Sequence, residues 1–200
     1  CLKYLEQTIL HEGGDKVAAV IMEPVFAAGG VIVPPEGFFK GLRELCDKYN
    51  ALLIFDEVVT GFGQTGSMFA CQQWGVTPDI LVSGKALTGG YIPGSVVIAR
   101  KDIGEAADAL TLHGHTHSCY PLMCAAAKKN IEIILRERLC EQAAEVGSYL
   151  IGELRRLQDR FVAIGDVRGT GLLAGFELVK DRKTKEADFE LGQRLFKTML

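Results

Sequence analysis

Four short, nearly all-apolar runs constrain this chain more than anything else in it. Val17 to Met22 stops at Glu23-Pro24, Ala51 to Phe55 stops at Asp56-Glu57, Asp79 to Ser83 stops at Gly84-Lys85, and Ser95 to Ala99 forms the fourth. Runs this short, bounded by turn residues, are predicted to be buried strands. Between the first two, Pro34-Pro35 opens a segment with Phe38, Leu42, Leu45, Cys46 and Tyr49 at helical spacing, closed by Asn50 as a C-cap. Strand, helix, strand at this spacing is a βαβ unit, so the first two strands should run parallel. Strands apolar on both faces imply helices covering the sheet. In such an open α/β sheet, ligands sit beyond the carboxyl ends of the strands. Glu23, Asp56 and Lys85 lie at such ends.

The rest of the chain changes character. Ile103 to Leu110 is predicted to be a short helix. After Pro121 a long helical region runs to about Leu157, with a break at the charges Arg136 to Arg138. Phe161 to Val167 and Gly171 to Val179 should then pair around an Arg-Gly-Thr-Gly turn. A domain change is expected near residue 130, giving 1–130 as part of a large ligand-binding domain and 131–200 as part of a smaller C-terminal domain. The chain does not begin with Met, and it opens and closes within helical patterns, so a fragment is expected.

Composition removes several function classes. The net charge is -3, and no segment is basic enough to track a nucleic-acid backbone. No apolar run approaches a membrane span, and Cys1 to Leu10 lacks the order of a signal peptide. The six cysteines form no CxxC pair, which suits reduced core residues in a cytoplasmic protein.

A lysine at a buried strand end has its charged form disfavoured and its amine made nucleophilic. Gly84, Gly89 and Gly90 leave room for a flat group close to the backbone. A carbonyl cofactor can form a Schiff base with such an amine. Pyridoxal phosphate also needs a carboxylate beside its pyridine nitrogen, so that the ring can accept electrons from the substrate. Asp56 is of that type, and Val58 two residues on offers an apolar face to the ring. Each residue alone has a plain structural reading: a surface lysine, a turn-forming aspartate, a glycine-rich loop. Their joint placement favours chemistry. His113-Gly114-His115-Thr116-His117 with Cys119 invites a metal reading, but Gly114 and the helix start at Pro121 favour a hydrogen-bonding loop in which Thr116 offers a hydroxyl to an anion. No metal is expected.

The run Phe55-Asp56-Glu57-Val58-Val59-Thr60-Gly61-Phe62-Gly63-Gln64-Thr65-Gly66 closely resembles the signature of class III aminotransferases. Gly75 to Ile80, Gly84-Lys85-Ala86-Leu87-Thr88-Gly89-Gly90-Tyr91-Ile92-Pro93, His113 to Thr116 and Val167 to Leu172 follow in the family's order. The resemblance implies a three-layer α/β/α, mostly parallel pyridoxal-phosphate domain followed by part of a smaller α/β domain. It implies transfer of an amino group from an amine or ω-amino acid to a keto acid such as pyruvate or 2-oxoglutarate. Lys85 would hold the cofactor and shuttle the proton, Asp56 would pair with the pyridine nitrogen, and Val58 would stack on the ring. Thr116 would reach the cofactor phosphate of the partner subunit in a homodimer with shared sites, and Glu23 would lie near the substrate. The family's main phosphate loop and its substrate-carboxylate arginine would fall outside residues 1 to 200. Gln64 stands where the family usually has Arg, and Gly94 where it usually has Leu. Competing readings are a racemase or decarboxylase on the same scaffold, a metal-dependent hydrolase using the His cluster, and a non-catalytic binding protein.

Overall fold

The computed structural model describes residues 1–106, 114 and 116–199. Among these, β1 (Ala19–Met22), β2 (Leu52–Asp56), β3 (Ile80–Ser83) and β4 (Val96–Ala99) form one sheet in the order β1-β2-β3-β4. β1, β2 and β3 are parallel, and β4 joins β3 antiparallel. All four predicted strands are present within two residues of their expected ends, and the sheet is mostly parallel as expected.

Cross-strand register explains how the sheet packs. Met22, Phe55, Leu81 and Ile98 are successive partners and share one face, because side chains alternate along each strand. On this face α1 (Leu2–Glu12) packs on α2 (Phe38–Lys48), and α2 packs on β2. Phe39, Leu42 and Cys46 recur at helical spacing and bury their side chains against Leu53, Phe55 and Leu81. The rings of Phe39 and Phe55 meet edge-on, with centroids 5.3 Å apart. Burying a side chain of this size contributes roughly 1.5–3 kcal/mol, so this stripe decides where α2 sits. The helix ends as its sequence predicts. Asn50 turns left-handed at φ 51°, and the Ala51 N–H donates back to the Cys46 carbonyl at 2.9 Å. On the opposite face, Ile21 and Val97 on the two edge strands remain 61% and 66% exposed. The described residues thus complete one helical layer and leave the other face open at its edges.

Beyond the sheet come α3 (Lys101–Ala106), α4 (Pro121–Arg136) and α5 (Leu139–Arg160). The end of the helix predicted over Ile103 to Leu110 lies outside the described residues. Pro121 occupies the first turn of α4, where its missing N–H costs nothing. The predicted break falls where the charges cluster, with Arg138 left-handed at φ 54° between α4 and α5. A second sheet holds β5 (Ile164–Thr170), β6 (Leu173–Asp181) and β7 (Glu186–Ala187), followed by α6 (Phe189–Met199). β5 begins at Ile164 rather than Phe161. The helix runs on to Arg160, the Phe161 N–H closes its last turn on the Leu157 carbonyl, and the Ile164 N–H then closes a turn on the Phe161 carbonyl.

Candidate active site

Parallel pairing brings the three polar strand ends to one lip of the sheet. Asp56 closes β2 opposite Val82, and Lys85 follows Val82 by three residues on β3's exit. Glu23 follows Met22, whose partner is Phe55, so Glu23 and Asp56 stand level on neighbouring strands.

Asp56 is half-buried, and its Oδ1 accepts the Val58 N–H at 3.0 Å. This turn-type bond fixes the carboxylate and the half-buried Val58 relative to each other. The second carboxylate oxygen takes no hydrogen bond among the described residues. Lys85 opens a short 3₁₀ helix, Lys85–Thr88, at φ 41°. A left-handed non-glycine backbone costs on the order of 1–3 kcal/mol and persists only where its surroundings impose it. The lysine is exposed rather than buried as the sequence suggested, because the described residues leave the lip open above it. Its amine makes no ion pair or hydrogen bond among the described residues.

The support beneath these groups comes from residues the sequence did not single out. Glu57 is wholly buried, at 0% exposure, directly after Asp56. Its carboxylate accepts the N–H groups of Ala70 at 2.7 Å and Cys71 at 2.8 Å, and the Thr60 hydroxyl at 2.8 Å. A buried carboxylate is tolerable only when its oxygens are satisfied in this way. It caps the 3₁₀ helix Ala70–Trp74 and anchors the loop after Asp56. Burial, together with this neighbouring carboxylate, pushes the Cys71 thiol up to about 12, so Cys71 is an inert core residue. The backbone of Glu57 is tied to β3 twice. Its N–H donates to the Val82 carbonyl at 2.7 Å, and its carbonyl accepts the buried Ser83 hydroxyl at 2.7 Å. Asp56 and the exit of β3 that carries Lys85 are therefore held in one register.

Asp79, 5% exposed, organises the opposite end of the same strands. It accepts the Leu53 N–H at 2.7 Å and pairs with Arg43 at 2.8 Å and Arg100 at 2.5 Å. Burial opposes ionisation of this carboxyl, but the Leu53 N–H and the two guanidinium groups outweigh it and hold its pKa below the ordinary value.

The remaining candidates are placed less centrally. Glu23 is half-buried, and its Oε2 accepts the Ala27 N–H at 3.3 Å, closing its own loop. Thr116 is exposed. His113 and His115 lie outside the described residues, and His117 packs edge-on against Tyr120. Among the described residues no group of three or more His, Cys, Asp or Glu is arranged to hold a metal ion. The Gln64 side-chain amide donates to the Val59 carbonyl, and the Gln64 backbone carbonyl accepts the Leu172 N–H at 2.8 Å. At Gly94 the room for a Cβ is taken by Met123, whose Cγ would lie 2.7 Å away.

Among the described residues, an amine without a counter-ion and a carboxylate with one oxygen held and one open form a donor set suited to pyridoxal phosphate, which presents a carbonyl and a pyridine nitrogen. The family profile "Aminotransferase class-III" matches residues 1–198. The chain is 44% identical over 191 residues to the taurine–pyruvate aminotransferase of Bilophila wadsworthia, covering 92% of this chain and 42% of that protein. It is 43% identical over 191 residues to the putrescine–pyruvate aminotransferase of Pseudomonas aeruginosa, covering 94% and 42%. Among solved structures, an (S)-enantioselective omega-transaminase from Thermomicrobium roseum superposes with a TM-score of 0.90 at 45% identity, over 96% of this chain and 43% of that one. An amine transaminase from an uncultivated Pseudomonas species, in its PLP-bound form, gives 0.91 at 42% identity, over 96% and 45%. The chain spans less than half the length of these relatives. With the strand-end lysine and aspartate in the family's order and the family profile matched almost end to end, the chain belongs to the class III aminotransferase family.

Proposed function

We propose that this chain carries the cofactor-holding part of a pyridoxal-phosphate-dependent aminotransferase. The enzyme moves an amino group from an amine or ω-amino acid to a keto acid such as pyruvate or 2-oxoglutarate. The observation that carries the proposal is the pairing of β2 with β3, which sets Asp56 and the exit to Lys85 on adjacent strand ends. The taurine–pyruvate and putrescine–pyruvate relatives support an amine donor and pyruvate as acceptor.

When bound, the cofactor supplies the electron sink that the reaction needs at the substrate carbon. Lys85 would anchor it through Nζ and would hold and move the proton at that atom. Asp56 would offer its open oxygen to the pyridine nitrogen and would hold the proton there. Val58 packs against the ring, and Glu23 faces the substrate side. Thr116 serves the phosphate bound in the partner subunit of a homodimer. Residues 1–130 form part of the large domain and 131–200 part of the small one. The free cysteines support a reducing, cytoplasmic setting, and no described helix is long and apolar enough to cross a membrane.

The test is a product assay on the full-length protein. With an amine donor and pyruvate, alanine should form in step with the carbonyl product. In Asp56→Ala the turnover should fall about 10²–10³-fold while cofactor remains attached to Lys85. Racemised or decarboxylated product without any keto acid, or wild-type turnover in the variant, contradicts the proposal.

A further inference from the structure

Lys85 needs more than a strand end to hold its left-handed backbone, and the bonds downstream of it come from a distant helix. Asn130 of α4 lies 45 residues away in sequence, yet its Nδ2 donates to the Ala86 carbonyl at 2.7 Å and to the Leu87 carbonyl at 3.1 Å. These are the two residues directly after Lys85, inside the same 3₁₀ helix. Short 3₁₀ segments have poor internal geometry, so outside donors carry much of their stability. The Ala86 carbonyl also accepts the Gly89 N–H at 3.1 Å, and a Cβ at Gly89 would come within 3.0 Å of Asn130 Oδ1. The side-chain amide thus fits over the end of the turn, and glycine at position 89, with φ 62°, leaves it room. Leu87 and Ala86 share one apolar cluster with Ala127, Met123 and Ile131 of the same helix, which holds α4 over the turn.

We infer that Asn130 is a positioning residue for Lys85, setting the direction of its amine through the Ala86 and Leu87 carbonyls. The inference rests on the cofactor reading of Lys85 given above. Upstream, the Ser83 hydroxyl holds the exit of β3; downstream, Asn130 holds the turn. The lysine backbone is clamped between two side chains, Ser83 and Asn130, and makes none of their bonds itself.

The test uses the full-length holoenzyme with Asn130→Ala and Asn130→Asp, and Lys129→Ala as a control on the exposed side of the same helix. The aspartate keeps the shape of the side chain but loses the donor. Three quantities are read: the pH titration of the visible band of lysine-bound cofactor, the rate of cofactor release, and the melting temperature of the apo-protein. A lost hydrogen bond is worth about a tenfold change. Both Asn130 variants should therefore release cofactor about tenfold faster, with a displaced pH midpoint of the band, while their apo-proteins melt close to the control. Should Asn130→Asp fail to fold, Asn130→Ala carries the test. Unchanged titration and release in a folded variant overturn the inference, and so does unfolding of both variants, which would make Asn130 a residue of stability alone. A wild-type protein with no lysine-bound band at all would instead overturn the cofactor reading itself.

Discussion

Asp56 does not stand alone at its strand end. The carboxylate next to it in sequence, Glu57, points the other way and is spent entirely on the fold, with three hydrogen bonds and no exposure. One acid is left open to the lip and the other is closed in the core, and the loop between β2 and the helix Ala70–Trp74 depends on the second. Glu57→Gln puts an amide where two backbone N–H groups expect an acceptor on each oxygen. It should cost about 1.5–3 kcal/mol, the worth of a hydrogen bond to a charged group, read by denaturant unfolding; a loss near zero contradicts the role. Asp79 gives a pH signature. Its folded pKa lies below the ordinary value of 3.8, so its contribution is complete above that value and is lost as pH falls through the lower folded value. The stability difference between wild type and Asp79→Asn should hold steady from neutral pH down to about 5 and shrink below about 4. A difference independent of pH over that range counts against the network.

At the scale of elements, the turn of the hairpin packs closely on the signature loop. Gly171, at φ 56° between β5 and β6, lies so close to the loop that a Cβ would sit 2.4 Å from the Thr65 carbonyl carbon and 2.5 Å from the Gln64 carbonyl oxygen. The Thr170 hydroxyl reaches the Gln73 side chain at 2.8 Å, completing the contact. Gly171→Ala therefore meets both backbone strain and a clash with main chain, and should lower stability by more than about 1 kcal/mol with increased proteolysis at the hairpin. Normal stability and proteolysis would show that the turn gives way freely. The elements themselves were largely legible in the sequence. Apolar runs ended where the strands end, Asn50 marked the close of α2, and the charges at Arg136 to Arg138 marked the break before α5. Direction was not legible for β4, since a four-residue apolar run pairs equally well either way. Glu57 and Asn130 were invisible as supports for another reason: the backbone groups their side chains bond lie 13 to 14 and 43 to 44 residues away, and only the fold brings them together.

For the molecule as a whole, the described residues present one helical layer, one sheet face open at its edges and a lip that carries the candidate chemistry. Ile21 and Val97 are exposed apolar side chains at the edges of that face, and Lys85 is exposed at the lip. Site residues were legible as types at strand ends, but the exposure of Lys85 was not, because burial depends on what stands over the lip. The central claim is that Lys85 is the amine that binds the cofactor. Borohydride reduction of the full-length protein followed by peptide mapping tests it most directly. One stable label is expected on Lys85, with loss of the visible band and of turnover together. A label on another lysine, or none, would contradict it.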